Sequence, residues 1–294
     1  MGEFNISFSQ VKANTSTNTS VNTETKNENG DVSIFSTNET PDNKPKALTK
    51  EEKKALEKKQ KEEAKAEKKR IANNPDGIIQ GGKQGRDAGD CWLLAQMNSI
   101  AKTDWGKKAL SEAISTDENG DYTVHFKGVD KDIKITKKEF EKAQKSSSYS
   151  SGDADALLLE IATERHFKET NLNEGSIRGN NLEGEDSLQY LLTGNKGRET
   201  TQPQAMEIIL KEMGKNPENN NNISATYIYE DKNPDNVQDM NHAMSIQQVI
   251  LDENGEIDKV IVLNSYHPDK PETLSYKQFK NNNIKMFGYV IQNQ

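Results

Sequence analysis

Between Thr49 and Arg70 the chain offers one large apolar side chain, Leu56, among Lys, Glu and Ala. A helix built from this stretch has no face to bury. It suits a solvated helix or spacer rather than a coiled-coil seam, with Thr49 and Glu52 spaced as a capping box at its start. Residues 1–48 are dominated by Asn, Thr, Ser, Lys and Glu, as in Asn14-Thr15-Ser16-Thr17-Asn18. They cannot bury enough apolar surface to offset their ordering entropy, so a disordered tail is expected, and its Asn-x-Ser/Thr sequons carry little meaning without a secretory route. Asn73-Asn74-Pro75-Asp76-Gly77 then breaks the helix. Hydrophobic residues make up only 31% of the 294, and whatever core the chain builds must come from the residues beyond this break. The expected organisation is a polar tail over 1–48, a charged helix or linker over 49–76 and one folded domain over 77–294.

Within that domain the apolar periodicity changes once. Leu93, Met97 and Ile100 recur at helical spacing from about Cys91, and further helices are expected over 105–114, after Thr136, over 153–167, near 185–192 and over 204–213. Gly194 and Gly214 are read as helix ends and Pro203 as a helix start. An alternating hairpin is expected over 121–126 and 132–135. From residue 223 the pattern turns to strands, over 223–229, 243–251, 257–264 and 286–291, with Asp252-Glu253-Asn254-Gly255 as a turn. A mostly helical half followed by a mostly antiparallel half predicts an α+β architecture of two lobes with a cleft between them.

The chemistry centres on Gln84-Gly85-Arg86-Asp87-Ala88-Gly89-Asp90-Cys91-Trp92-Leu93-Leu94-Ala95, which holds the chain's one cysteine. A lone cysteine is ordinarily a small buried hydrophobe. Here Asp90 is a good N-cap type, which sets Cys91 in the first turn of a helix, where unpaired N–H groups and the macrodipole favour a thiolate. Such a nucleophile needs a base that returns its proton, which near neutral pH means histidine. Of the four histidines, His125 and His166 read as surface residues and His267 lies in a loop. His242 directly precedes a strand, with the small Ala243 beside it. Asn264 ends the strand antiparallel to the one that His242 starts, a topology that brings the two together, so its amide oxygen is the candidate orienter of the imidazole. The Cys91 N–H and the Gln84 side-chain amide are the available oxyanion donors. Trp92 packs either at the lobe interface or in the core.

These residues resemble the active-site signatures of the calpain family of papain-like cysteine proteases. Gln-Gly…Gly-Asp-Cys-Trp-Leu-Leu-Ala is similar to its cysteine motif. Asp155 to Ala162 resembles its Leu-Leu-Glu-Lys-Ala helix, and Leu182-Glu183-Gly184 with Leu192-Thr193-Gly194 resembles its Gly-Gly…Phe-Thr-Gly segment. His242-Ala243-Met244-Ser245 resembles its His-Ala-Tyr-Ser, Leu263-Asn264-Ser265-Tyr266 its Arg-Asn-Pro-Trp, and Leu274-Ser275 with Phe279 its closing segment. The resemblance covers roughly 77–292. It implies a papain-like two-lobed core and a cysteine-type endopeptidase, a microbial member without EF-hand modules, with Cys91, His242 and Asn264 as the triad and Gln84 at the oxyanion.

The chain departs from the family in three places. Gln84 stands one residue further from the cysteine than the family's glutamine. Ser265 and Tyr266 replace Pro and Trp. Glu160 matches the glutamate of a family calcium site, but no aspartate stands just before Gln84. No cofactor is therefore required, and calcium is left open with Glu160 as its candidate ligand. The expected partners are protein or peptide substrates, met by a monomer. A net charge of -8 argues against a general nucleic-acid binder. No stretch approaches the about 18–20 apolar residues of a membrane span, and residues 1–14 lack the pattern of a secretory signal. The expected location is cytoplasmic, with signal-free export left open. The rival reading is a pseudo-protease that binds peptides without cleaving them; an acyl transferase on the same triad is a third.

Overall fold

A computed structural model describes residues 48–179, 184–185, 187–215, 222–230 and 241–292. The polar tail up to residue 47, with its sequons, falls outside the described residues, as do Leu182 and Glu183. The chain divides by its internal contacts into Met1–Glu52 and Lys53–Gln294. In the first unit Thr49 and Glu52 cap one another: the Thr49 N–H donates to Glu52 Oε2 at 2.7 Å and the Glu52 N–H to Thr49 Oγ1 at 3.2 Å. Helix α1 (Lys50–Asn73) buries none of its residues. Its exposed i,i+4 pairs, such as Lys59–Glu63 at 3.7 Å, each add only about 0.3–0.5 kcal/mol. In the second unit, Gln144 Nε2 donates to the Ala72 carbonyl at 2.7 Å and so satisfies one of the terminal carbonyls of α1.

The architecture is mixed α+β, with eight α-helices and two antiparallel sheets among the described residues. A first apolar cluster gathers around α2 (Cys91–Ile100), all of whose residues are buried. Against it stand α3 (Asp104–Ala113), the sheet β1 (Ile114–Thr116), β2 (Tyr122–Phe126) and β3 (Lys131–Ile135), then α4 (Lys137–Ala143), α5 (Ala154–Thr170) and α6 (Leu188–Thr193). The hairpin β2–β3 alternates as its sequence does, burying Tyr122, Val124, Phe126, Ile133 and Ile135. Helix starts are set by hydroxyl and carboxylate caps: Thr103, Thr136, Asp153 and Ser187 each accept from the backbone N–H three residues on.

A second cluster lies on α7 (Pro203–Lys215) and a six-stranded sheet. That sheet runs β4 (Arg198–Thr200), β9 (Ile284–Ile291), β5 (Ile223–Tyr229), β6 (His242–Leu251), β7 (Ile257–Leu263), β8 (Glu272–Ser275). Helix α8 (Tyr276–Asn281) follows β8 and buries Phe279. Helix α2 packs on β5 and β6, and Ile228 and Ala243 of those strands belong to the α2 cluster. Among the described residues no helix is long and apolar enough to cross a membrane.

Three local readings change. Gly214 does not end α7, which runs on to Lys215. It is a contact glycine: a Cβ there would lie 2.7 Å from the Leu251 side chain, so its absence lets α7 sit against β6. Ile114 leaves its helix and pairs with Val124 as the start of β1. His166 is buried at 4% exposure, not a surface residue, because the α5 face that carries it turns to Phe126, its ring edge-on at 6.0 Å.

Candidate active site

Cys91 is the first residue of α2 and is buried. Asp90 occupies the N-cap position: the N–H groups of Leu93 and Leu94 donate to its carbonyl at 2.9 and 3.3 Å. Its side chain, however, makes no cap bond, contrary to the N-cap role read from its type. The carboxyl is fully buried and faces Glu160 of α5, also fully buried. Burial pushes both carboxyls up, Glu160 well above its ordinary range, with the Asp90 charge opposing its ionisation as well. The Ser150 N–H donates to Glu160 Oε2 at 2.7 Å and holds that side in place.

This arrangement bears on calcium. The ion takes about 6–8 oxygen ligands. Glu160 and Asp90 bring two carboxyls together, and among the described residues no group of three or more His, Cys, Asp or Glu side chains is placed to hold a metal ion.

His242 opens β6, and the register of that strand with β7 (Ser245 opposite Leu263) puts the start of one beside the end of the other. The structure brings His242 and Asn264 together, with Nε2 2.9 Å from Oδ1. The Tyr266 N–H also donates to that Oδ1 at 2.9 Å. A backbone N–H can only donate, so the atom it meets is the amide oxygen, and His242 Nε2 must carry a proton toward it. The imidazole is thereby fixed in the tautomer that keeps Nδ1, a buried atom, for proton exchange. The Tyr266 ring lies flat on the imidazole, centroids 5.1 Å apart and planes 14° from parallel, and Tyr229 meets its edge at 6.1 Å.

Gln84 is buried beside the same turn. Its N–H donates to the Ser265 carbonyl at 2.9 Å, and the Ser265 hydroxyl donates to its Oε1 at 2.9 Å. Lys83 and Ser151 exchange backbone hydrogen bonds at 2.8 and 2.9 Å just before it. The longer loop to the cysteine is taken up as a turn at 86–88, after Gln84. There the Asp87 N–H donates to the Ser147 carbonyl at 3.2 Å, the Ser147 hydroxyl to Asp87 Oδ2 at 2.9 Å, and Arg178 Nη2 to the Asp87 carbonyl at 2.6 Å. Gly85 is required by proximity: a Cβ would come within 2.5 Å of the carbonyl oxygens of Ser147 and Tyr149.

The remaining candidates sit apart from this constellation. His125 bonds Asp132 at 2.8 Å on the exposed face of β2–β3, and His267 is exposed in the turn after Asn264. Trp92 belongs to the core: it is fully buried, donates from Nε1 to the Ile177 carbonyl at 2.6 Å and stacks on Phe167. In sequence, Ser265 and Tyr266 stand out only as departures from a pattern. Their position directly after Asn264 is the signal that they touch what Asn264 touches. No family model and no curated protein matches the sequence.

Proposed function

We propose that this chain is a thiol endopeptidase with a papain-like, two-lobed core of calpain type. The observation that carries the reading is the 2.9 Å bond from His242 Nε2 to Asn264 Oδ1, made at the head of a strand on which the helix headed by Cys91 packs. An imidazole committed through Nε2 to an amide oxygen has Nδ1 for the thiol proton, and a cysteine at a helix N-terminus is where the resulting thiolate is favoured. A peptide substrate is the partner that such a pair attacks.

In this mechanism the Cys91 thiolate adds to the scissile carbonyl. The carbonyl oxygen, now negative, is met by the Cys91 N–H and by Gln84 Nε2. Imidazolium His242 gives its proton to the departing amine, then takes one from the water that attacks the thioester, and Cys91 leaves as thiolate. Asn264 holds the ring throughout.

The test is the rate of Cys91 alkylation by iodoacetamide as a function of pH, together with Cys91-dependent hydrolysis of a denatured protein substrate. Alkylation well below the ~8.5 pKa of a free thiol, lost in His242→Ala, and hydrolysis lost in Cys91→Ala support an active protease. Slow alkylation and no hydrolysis by folded protein overturn it. They would favour the peptide-binding pseudo-protease, the reading to which the longer loop between Gln84 and Cys91 would then belong.

A further inference from the structure

We infer that Gln247 is a positioning residue for the reacting pair: from a bulge in β6 it ties the far end of the helix headed by Cys91 to the strand headed by His242. The inference rests on the proteolytic reading above and extends it to a side chain five residues along the strand from the base. β6 and β7 pair up to Ile246 opposite Val262 and resume with Gln248 opposite Ile261, so Gln247 is the extra residue. A bulge of this kind breaks the alternation of faces and re-aims a side chain. Burial follows it. Met244, Ile246 and then Val249 join the cluster that α7 shares, a step of three where a plain strand steps by two. Gln247 is left turned toward α2.

What it meets there follows from helix geometry. The last four carbonyls of an α-helix have no partner within it. In α2 the Met97 carbonyl accepts from the Ala101 N–H at 3.0 Å, that of Ser99 from Lys102 at 3.2 Å and that of Ile100 from Thr103 at 2.9 Å. The bonds tighten to a three-residue span and pass over Asn98, whose carbonyl accepts from Gln247 Nε2 at 3.3 Å. An amide nitrogen has two hydrogens to give. The other goes to Ser245 Oγ at 2.7 Å, and the Ser245 hydroxyl donates to the Leu263 carbonyl at 3.4 Å, directly before Asn264. One thread of bonds thus joins the end of α2, the strand β6 and the end of β7. Asn98 and Ser245 are buried, and a bond made in a dry site is worth more than the same bond in water.

A helix is stiff along its axis, and Asn98 lies about 10 Å from Cys91 at a rise of about 1.5 Å per residue. Holding Asn98 against β6 therefore fixes how far along the strands Cys91 sits. The apolar contacts of α2 resist its separation from the sheet, but they are not directional and resist sliding less. A hydrogen bond to a single carbonyl is directional. Alignment of this kind is what the thiol and the imidazole need, because a misplacement of about 1 Å can cost about 10²-fold in rate.

The experiment compares wild type, Gln247→Met, Gln247→Lys and, as a control from the same bulge, Gln248→Met. The readouts are kcat and KM on one peptide substrate and the pH profile of Cys91 alkylation by iodoacetamide, all taken well below each protein's melting temperature. Met keeps the length of the side chain and removes both donors. Lys keeps length and donors, and the macrodipole favours a cation at the end of a helix. Gln247→Met is expected to lower kcat about 5- to 20-fold, with KM within about twofold, as a small misalignment does. Alkylation below pH 7 should slow by about fivefold, because the imidazolium no longer stands where it stabilises the thiolate. Gln247→Lys should recover most of both, and Gln248→Met should match the wild type. A Gln247→Met protein that equals the wild type in kcat and alkylation, whatever its melting temperature, overturns the role while leaving the protease intact. So does a Gln247→Lys protein no better than Gln247→Met. Absence of fast Cys91 alkylation and turnover in the wild type overturns the proteolytic reading and this role with it.

Discussion

The ring of Tyr266 lies parallel to that of His242 within 14°, at a centroid distance of 5.1 Å. An aromatic face against an imidazole favours the protonated ring by about 0.5–1 kcal/mol, and imidazolium is the form that pairs with a thiolate. Replacing Tyr266 by Leu removes that preference while keeping apolar cover. The alkaline limb of the kcat/KM profile, where the imidazolium of the thiolate–imidazolium pair loses its proton, should then move to lower pH by about half a unit, since one unit corresponds to about 1.4 kcal/mol. Tyr266→Trp should leave the limb where it is or raise it. An unmoved limb in Tyr266→Leu would show that the stack shields the site without tuning it.

Asn264 serves two donors with one oxygen, His242 Nε2 and the Tyr266 N–H. Asn264→Ala leaves the ring free to turn and to change tautomer. Because a well-placed general base contributes about 10²–10⁴-fold, turnover should fall by about 10²-fold with KM little changed. Steady-state kinetics on a single peptide substrate checks this, with thermal melts confirming the fold. A loss confined to KM would place Asn264 in substrate binding instead.

Much of this geometry is local and can be read from the sequence. The helix from Cys91 follows from Leu93, Met97 and Ile100 recurring on one side, and the hairpin from the alternation around Val124. The approach of Asn264 to His242 follows from two antiparallel strands, one beginning and the other ending at the candidate residue. What cannot be read depends on contacts between distant segments. Asp90 has the sequence position of an N-cap, but its carboxyl is drawn to Glu160 in α5. Gly214 has the composition of a helix end, yet its role is set by Leu251 on another element. His166 looks polar in sequence and is buried because of the face of α5 it occupies. The Ser265–Gln84 bond joins residues 181 positions apart, and no local pattern encodes it.

The buried Asp90–Glu160 pair makes a prediction about stability and calcium together. Folded-state pKa values raised by burial mean that the pair stabilises the fold while it holds its proton and loses that stabilisation as pH rises through the raised value. Glu160→Gln keeps an oxygen for the Ser150 N–H and offers an amide N–H to Asp90 at every pH. The variant should match the wild type near pH 5 and melt higher at pH 9, by an amount of about 1–3 kcal/mol. Glu160→Ala, which strands Asp90, should be destabilised at both. Added calcium should not raise the melting temperature of the wild type; a calcium-dependent rise abolished by Glu160→Gln would place the ion at this pair after all.

Asp155, at the start of α5, accepts from the N–H groups of Asp76 and Gly77 at 2.9 Å each and so fastens the segment that leads from α1 into the domain. Burial raises its pKa from 3.8 to about 7; the two N–H bonds oppose the rise, and the nearby charges of Asp153 and Asp76 add to it. Between those two pH values the folded chain binds a proton at Asp155 that the unfolded chain has released. Stability therefore falls as pH rises across this window, and the loss is complete above about 7. Asp155→Asn cannot titrate. Its amide oxygen keeps one of the two N–H bonds and its NH2 faces the other donor, a penalty of about 1–3 kcal/mol that is independent of pH. Thermal melts of both proteins from pH 4 to pH 8 should show the wild type losing its advantage as pH rises to 7, after which the difference between the two curves stays constant. A difference that does not change between pH 4 and 7 would mean that Asp155 is ionised throughout, and that its bonds to the 76–77 segment are made by a carboxylate at every pH tested.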